Sequence, residues 1–312
     1  MRYNYRMPMN FRDEPSPQPS PQPSPKVPRE GIRGFSLVEL LVVLGIGVIL
    51  LSIFVPYLWN VRESNHRLAC QENLRRIQVA LTAYAADNGN NFPRVRYDAE
   101  HNPNGYAAFT GADSADPFAA DSAVKPNDVT ASLWLLLRQG LLQGSEVFVC
   151  PSSGNSADPM VNGAWQAVGV GQRGNFRGGE NLSYSYASPF SSAVDYRLND
   201  TQPSEFAVLA DKNPGLPDVT DAAFDAPPLQ QARGNSRNHD RAGQNVLYAD
   251  GHVAFARTPY CGYGNDNIYT ALTIEPLEGA KPPATIRGYL GSKIGPSWQA
   301  DSYLVPVEGE GR

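Results

Sequence analysis

Residues 34–59 read GFSLVELLVVLGIGVILLSIFVPYLW, and this stretch decides the fold of the 312-residue chain. From Phe35 to Trp59 the run is apolar and long enough to cross a bilayer as one helix. It holds a single charge, Glu39. A carboxylate inside a membrane span costs several kcal/mol on insertion scales of roughly 2.5–3.5 kcal/mol per charge, so such a group is expected to be functional and paired. A cleavable secretory signal fits less well, because its apolar region is shorter and its small-residue cut site follows that region.

Working outward, the apolar run is followed by residues that keep an inward stripe. Cys70, Leu74, Ile77, Leu81 and Tyr84 recur at helical spacing, while Arg62, Glu63, Arg67, Glu72, Arg75 and Arg76 mark the wet face. The spacing predicts one helix with an apolar half, 35–59, and an amphipathic half, 60–89, about 75 Å long in all. Gly89 supplies the stop and Phe92-Pro93 prevents continuation. The stripe needs a cover, and a sheet is the economical one.

On the other side, residues 1–34 carry Pro-Ser-Pro-Gln repeats between Pro15 and Pro25, which predict an extended polyproline-like spacer. Arg2, Arg6, Arg12, Lys26, Arg29 and Arg33 outnumber Asp13, Glu14 and Glu30, which holds this end in the cytoplasm and sends the C-terminal bulk outward. A start codon placed too far upstream would give the same appearance.

Gly34, Phe35 and Glu39 together resemble the processing site of type IV prepilins and type II secretion pseudopilins. The resemblance implies that a membrane-bound prepilin peptidase cuts after Gly34 and N-methylates Phe35. It also implies that Glu39 pairs with the terminal amine of a neighbouring subunit. Pro56 stands where many members carry a helix-kinking proline, and Tyr84 to Pro93 resembles the helix exit of the major pseudopilin. Further on, His239 to Gly251 is similar to the C-terminal motif of a large bacterial prepilin-type family, a His followed by Asp250-Gly251. That family has about nine intervening residues and this chain has ten, which leaves His239 less securely matched than Asp250-Gly251. Phe148 to Ser152 and Asp266 to Tyr269 look like the same family.

The extracytoplasmic part, 90–312, is expected to be α+β, with the long N-terminal helix packed on an antiparallel sheet, pilin-like. Residues 94–130 and 152–181 read as long surface excursions. A short helix is predicted over 132–142 and a strand over Val147–Cys150. Further strands are predicted over Leu182–Ala187 and Phe206–Ala210. In Asn245–Ala256, Asp250-Gly251 predicts a two-residue turn with positive φ at both positions. That register sets Tyr248 opposite Val253 and Val246 opposite Phe255 as the face toward the helix.

Net charge is −5 and no basic block follows the span, so nucleic acid is not an expected partner. The three cysteines make no disulfide framework. Cys150 with Cys261 is the pair to test against free, buried thiols. No His-Glu-X-X-His, Cys-X-X-Cys, Gly-X-Ser-X-Gly or P-loop pattern occurs, and an enzyme is not expected. Cys150 with His239 and an Asp would suit a thiol hydrolase, but a Cys before Pro after a strand is more often packing. His239 and His252 would share a metal with Asp250, or His239 would simply fix the approach to the hairpin by a hydrogen bond. Resemblance to the major pseudopilins implies a C-terminal Ca2+ site, for which Asp211, Asp250 and Asp266 are candidates beside Asn265 and Asn267. Turn-forming Asx residues are the other reading.

The expected function is therefore structural: a subunit of a type IV pilus-like or type II secretion pseudopilus-like filament. Its partners would be prepilin peptidase, other pilin-like subunits and inner-membrane lipid, with the C-terminal domain periplasmic. The competing reading is a membrane-anchored extracytoplasmic binding module that uses the prepilin segment only for delivery.

Overall fold

A computed structural model describes residues 35–162, 166–216, 218–221, 224–272 and 290–311. The leader and Gly34 lie outside the described residues. Helix α1 runs Leu37–Asp87, 51 residues without interruption. Within it, Leu37–Val55 is long and apolar enough to span a membrane, and among the described residues none of it is buried. Residues 55–312 form a separate compact unit.

In that unit the expected stripe is the buried one: Cys70, Leu74, Ile77 and Leu81 are fully buried and Tyr84 nearly so. The helix ends as its glycine requires. Gly89 and Asn90 take positive φ, and the Asn90 amide donates back to the Ala85 carbonyl at 2.8 Å. Helix α2 runs Val129–Arg138, earlier than the predicted 132–142. Asp128 explains the shift, because its carboxylate accepts from the Ala131 amide at 2.8 Å and starts the helix there. Leu141 and Leu142 fall beyond the end.

Strands β1 (Val161–Asn162) and β2 (Gln166–Ala167) make a small antiparallel pair. The main sheet contains β3 (Tyr184–Ala187), β4 (Ala207–Asp211), β5 (Gln244–Tyr248), β6 (Val253–Ala256) and β7 (Leu304–Val305), ordered β6-β5-β4-β3-β7 and antiparallel throughout. Leu209, Leu247, Tyr184 and Tyr186 join the helix stripe in one core. Ala207, Ala210, Val246 and Tyr248 pack in a second with Ile268 and Tyr269. The α+β class follows: a long helix covers one sheet face and the 259–272 segment covers the other.

Two expectations are corrected. Val147–Cys150 is not a strand; Ser145–Phe148 is a 3-10 turn. An apolar run of four residues has too little periodicity to separate the two. In the hairpin, Leu247 faces Val253 and Asn245 faces Phe255. The connection has three residues: Tyr248 pairs with His252, and the Gly251 amide donates to the Tyr248 carbonyl at 2.9 Å. Of Asp250 and Gly251, only Gly251 takes positive φ, +90°. A one-residue slip exchanges the faces of a strand. Leu247 and Val253 therefore join the helix core, whereas Val246 and Tyr248 look the other way.

The two excursions are packed rather than loose. Asn127, fully buried, donates to the carbonyls of Asn102 and Gly105 and so pins the 94–130 segment from within. In 152–181, Arg173 and Asp158 form a bidentate ion pair at 2.9 and 3.1 Å, both side chains fully buried. Arg173 also lies 5.3 Å over the Trp134 ring.

Candidate functional site

At the start of α1, Ser36 and Glu39 close a reciprocal capping box. The Ser36 amide donates to Glu39 Oε2 at 2.8 Å, and the Glu39 amide donates to Ser36 Oγ at 3.2 Å. Phe35 is exposed beside it. The Ser-X-X-Glu spacing is a sequence signature of this motif, so the second role of Glu39 was readable from the sequence.

The densest polar site lies where the amphipathic helix meets the sheet, and it centres on His239. This side chain is fully buried. Its Nδ1 lies 2.6 Å from Glu63 Oε1, and Glu63 is further held by Ser152 Oγ at 2.8 Å and Arg67 Nε at 3.2 Å. On the other side, His239 Nε2 stands 3.4 Å from Asp211 Oδ2, 3.4 Å from Cys150 Sγ and 3.0 Å from Asn245 Nδ2. Asp211, at the end of β4, accepts from the Asn245 amide at 2.7 Å, from Asn245 Nδ2 at 3.1 Å and from Asn238 Nδ2 at 3.0 Å.

The backbone is forced to deliver the ring. His239, Asp240 and Arg241 take φ of 57°, 53° and 60°, three successive left-handed residues with side chains. Each costs of order 1 kcal/mol. The reward is an imidazole placed between two carboxylates from different elements. Burial pulls the His239 pKa down, but Asp211 and Glu63 more than offset it and raise it above the ordinary value. Burial likewise raises Glu63, and Ser152, His239 and Arg67 reverse that and leave it lowered.

The cysteine pairing is a correction. Cys150 bonds to Cys70 of α1, with Cα atoms 5.3 Å apart, and Cys261 is free. Cys70 lies on the inward stripe of α1, and the chain brings residues 149–150 to it, where Asn73 Nδ2 donates to the Val149 carbonyl. No local pattern says which of the other two sulfurs Cys150 meets; packing of its segment against α1 decides it. With its sulfur in a disulfide and no exposed surface, Cys150 is not placed as a nucleophile.

Asp250 and His252 meet each other rather than His239. His252 Nδ1 lies 2.5 Å from Asp250 Oδ1 at the exposed hairpin, and His252 stacks on Tyr248. Burial nudges the Asp250 pKa up, and the bonds from His252 outweigh it and lower it. Asp266 is elsewhere again, fully buried, with Oδ2 accepting from the Ser302 amide at 3.0 Å and Oδ1 without a partner. Burial and the neighbouring Asp301 raise its pKa far above the usual range. The three calcium candidates Asp211, Asp250 and Asp266 thus do not converge. Among the described residues, the set of His, Cys, Asp and Glu that does gather its donor atoms is Cys70, Cys150, Asp211 and His239, all within 4.8 Å of one another.

Glu63, Cys70 and Asn245 were not singled out from sequence. Glu63, expected on the wet face, is instead partly buried against His239; its signal was the seven-residue spacing to Cys70, which puts both on one helix face. No protein-family model matches the chain, and no curated protein and no solved structure matches it.

Proposed function

We propose that this chain is a prepilin-type subunit of a type IV pilus-like or pseudopilus-like filament, pilin-like in fold. The observation that carries the reading is the division of labour along α1. Leu37–Val55 is apolar and unburied among the described residues, while Cys70, Leu74, Ile77 and Leu81 are fully buried in the globular unit. A helix exposed and apolar along such a length suits lipid first and other copies of the helix afterwards.

In this reading prepilin peptidase cuts after Gly34 and methylates Phe35. The new amine then lies next to the Ser36–Glu39 box, so one carboxylate serves both the helix end and the cationic terminus of a neighbouring copy. Low dielectric makes an unpaired charge there costly and an aligned subunit favourable. The globular domain would face the periplasm.

Intact mass of the membrane-extracted protein tests the processing. A chain that begins at methylated Phe35 supports the proposal; one that begins upstream, unmodified, overturns it. Electron microscopy of native material tests the assembly, because a filament subunit appears in repeats and a lone anchored receptor does not.

A further inference from the structure

The four gathered donors are more than a disulfide and its neighbours. Their chemistry is that of a closed zinc-class site: two cysteine sulfurs, one imidazole nitrogen and one carboxylate oxygen, all fully buried. The donors come from four separate places: α1 (Cys70), the segment after the 3-10 turn (Cys150), the end of β4 (Asp211) and the left-handed turn (His239).

The imidazole is already oriented as a ligand. Its Nδ1–H is engaged by Glu63 at 2.6 Å, which turns Nε2 toward Cys150 and Asp211. This carboxylate–histidine arrangement is the usual support behind a metal-bound histidine. In the disulfide form Asn245 Nδ2 stands between the two acceptors, 3.0 Å from Nε2 and 3.1 Å from Asp211 Oδ2. The Asn245 amide nitrogen thus stands against the nitrogen and oxygen that an ion would take, and its own Oδ1 is buried without a partner.

We infer that Cys70, Cys150, His239 and Asp211 form a redox-gated site for one soft divalent metal ion of the zinc class, closed as a disulfide when oxidised. An external dithiol reduces the Cys70–Cys150 bond, becoming a disulfide itself and leaving two thiols. The metal ion then displaces both thiol protons, and a proton from Nε2 where the ring carries one. Tetrahedral ligands around zinc stand about 3.3–3.8 Å apart, so donors now within 4.8 Å need only a small contraction as the sulfurs separate. The disulfide ties α1 to the segment after the 3-10 turn, and a bound ion would add the end of β4 through Asp211. A cavity of about 290 Å³ lined by Arg62, Glu63, His66, Pro151, Ser152 and Asp240 reaches the Glu63 carboxylate that holds the imidazole.

The full chain in detergent micelles is reduced with a phosphine, freed of it without air, and titrated with Co2+. One equivalent should give the spectrum of a tetrahedral thiolate-bound ion, which Zn2+ then abolishes. The non-reduced protein should give none. Cys70→Ser with Cys150→Ser should lose the signal, Cys261→Ser should keep it, and Glu63→Gln should weaken binding about 10- to 100-fold. If reduction unfolds the chain, one equivalent of Zn2+ should restore its circular dichroism. A reduced protein that takes up no Co2+ overturns the inference. So does uptake that survives loss of both Cys70 and Cys150, or an unfolded reduced chain that Zn2+ does not restore.

Discussion

Replacing Cys70 and Cys150 together by alanine tests the one covalent tie between α1 and the rest of the domain. The bridge closes a loop with a sequence separation of 80 residues. In the chain-entropy description a loop of that length restricts the unfolded ensemble by about 4.5 kcal/mol at 25 °C. Measured values fall at or below that figure, so the double variant should lose about 3–4.5 kcal/mol. The assay is urea unfolding of the full chain in micelles without reductant, followed by tryptophan fluorescence, for which the fully buried Trp134 is a reporter. Non-reducing peptide mapping accompanies it. Cys261→Ala is the control. Its thiol is free, burial pushes its pKa up to about 12, and its removal should cost under about 1 kcal/mol. A map that links Cys261 to either other cysteine refutes the pairing. A loss below about 1 kcal/mol in the double variant refutes the role assigned to the tie.

The pair Asp266–Asp301 should make stability fall with rising pH. Burial pushes Asp301 up to about 7, above its unfolded value, so the folded state binds the extra proton. That contribution is complete below pH 4 and is lost as pH rises through about 7. Asp266→Asn should accordingly raise the melting temperature relative to the parent at pH 8 more than at pH 5; an equal difference at both pH values refutes the coupling. If Ca2+ occupies this place, its addition at pH 8 should stabilise the parent and not Asp266→Asn. Asp158→Ala should cost about 3–5 kcal/mol in unfolding experiments, because it strands the buried Arg173 charge; a loss near zero would show that water reaches the guanidinium. Glu39→Ala should leave the chain cut and folded but poorly assembled, as read by mass and by electron microscopy, whereas Gly34→Ala should keep the 34-residue leader attached.

The sequence by itself determined the parts whose cause is local. An apolar run of bilayer length followed by a stripe at helical spacing leaves one long helix as its solution, and α1 spans nearly the predicted residues. Leu182–Ala187, Phe206–Ala210 and the two arms of the Asp250-Gly251 hairpin were legible for the same reason, since alternation and turn chemistry act within a few residues. Register was not. Whether the turn holds two residues or three rests on the φ of Asp250, and that small choice decides whether Leu247 or Val246 meets the helix.

The candidate site belongs to the tertiary structure. His239 was visible as part of a motif, but its partners Glu63, Cys150 and Asp211 lie 176, 89 and 28 residues away in the chain. A buried imidazole needs counter-charges from wherever packing supplies them, and a disulfide joins whichever sulfurs the core brings within reach. No local pattern encodes either choice. Folding the helix onto the sheet does.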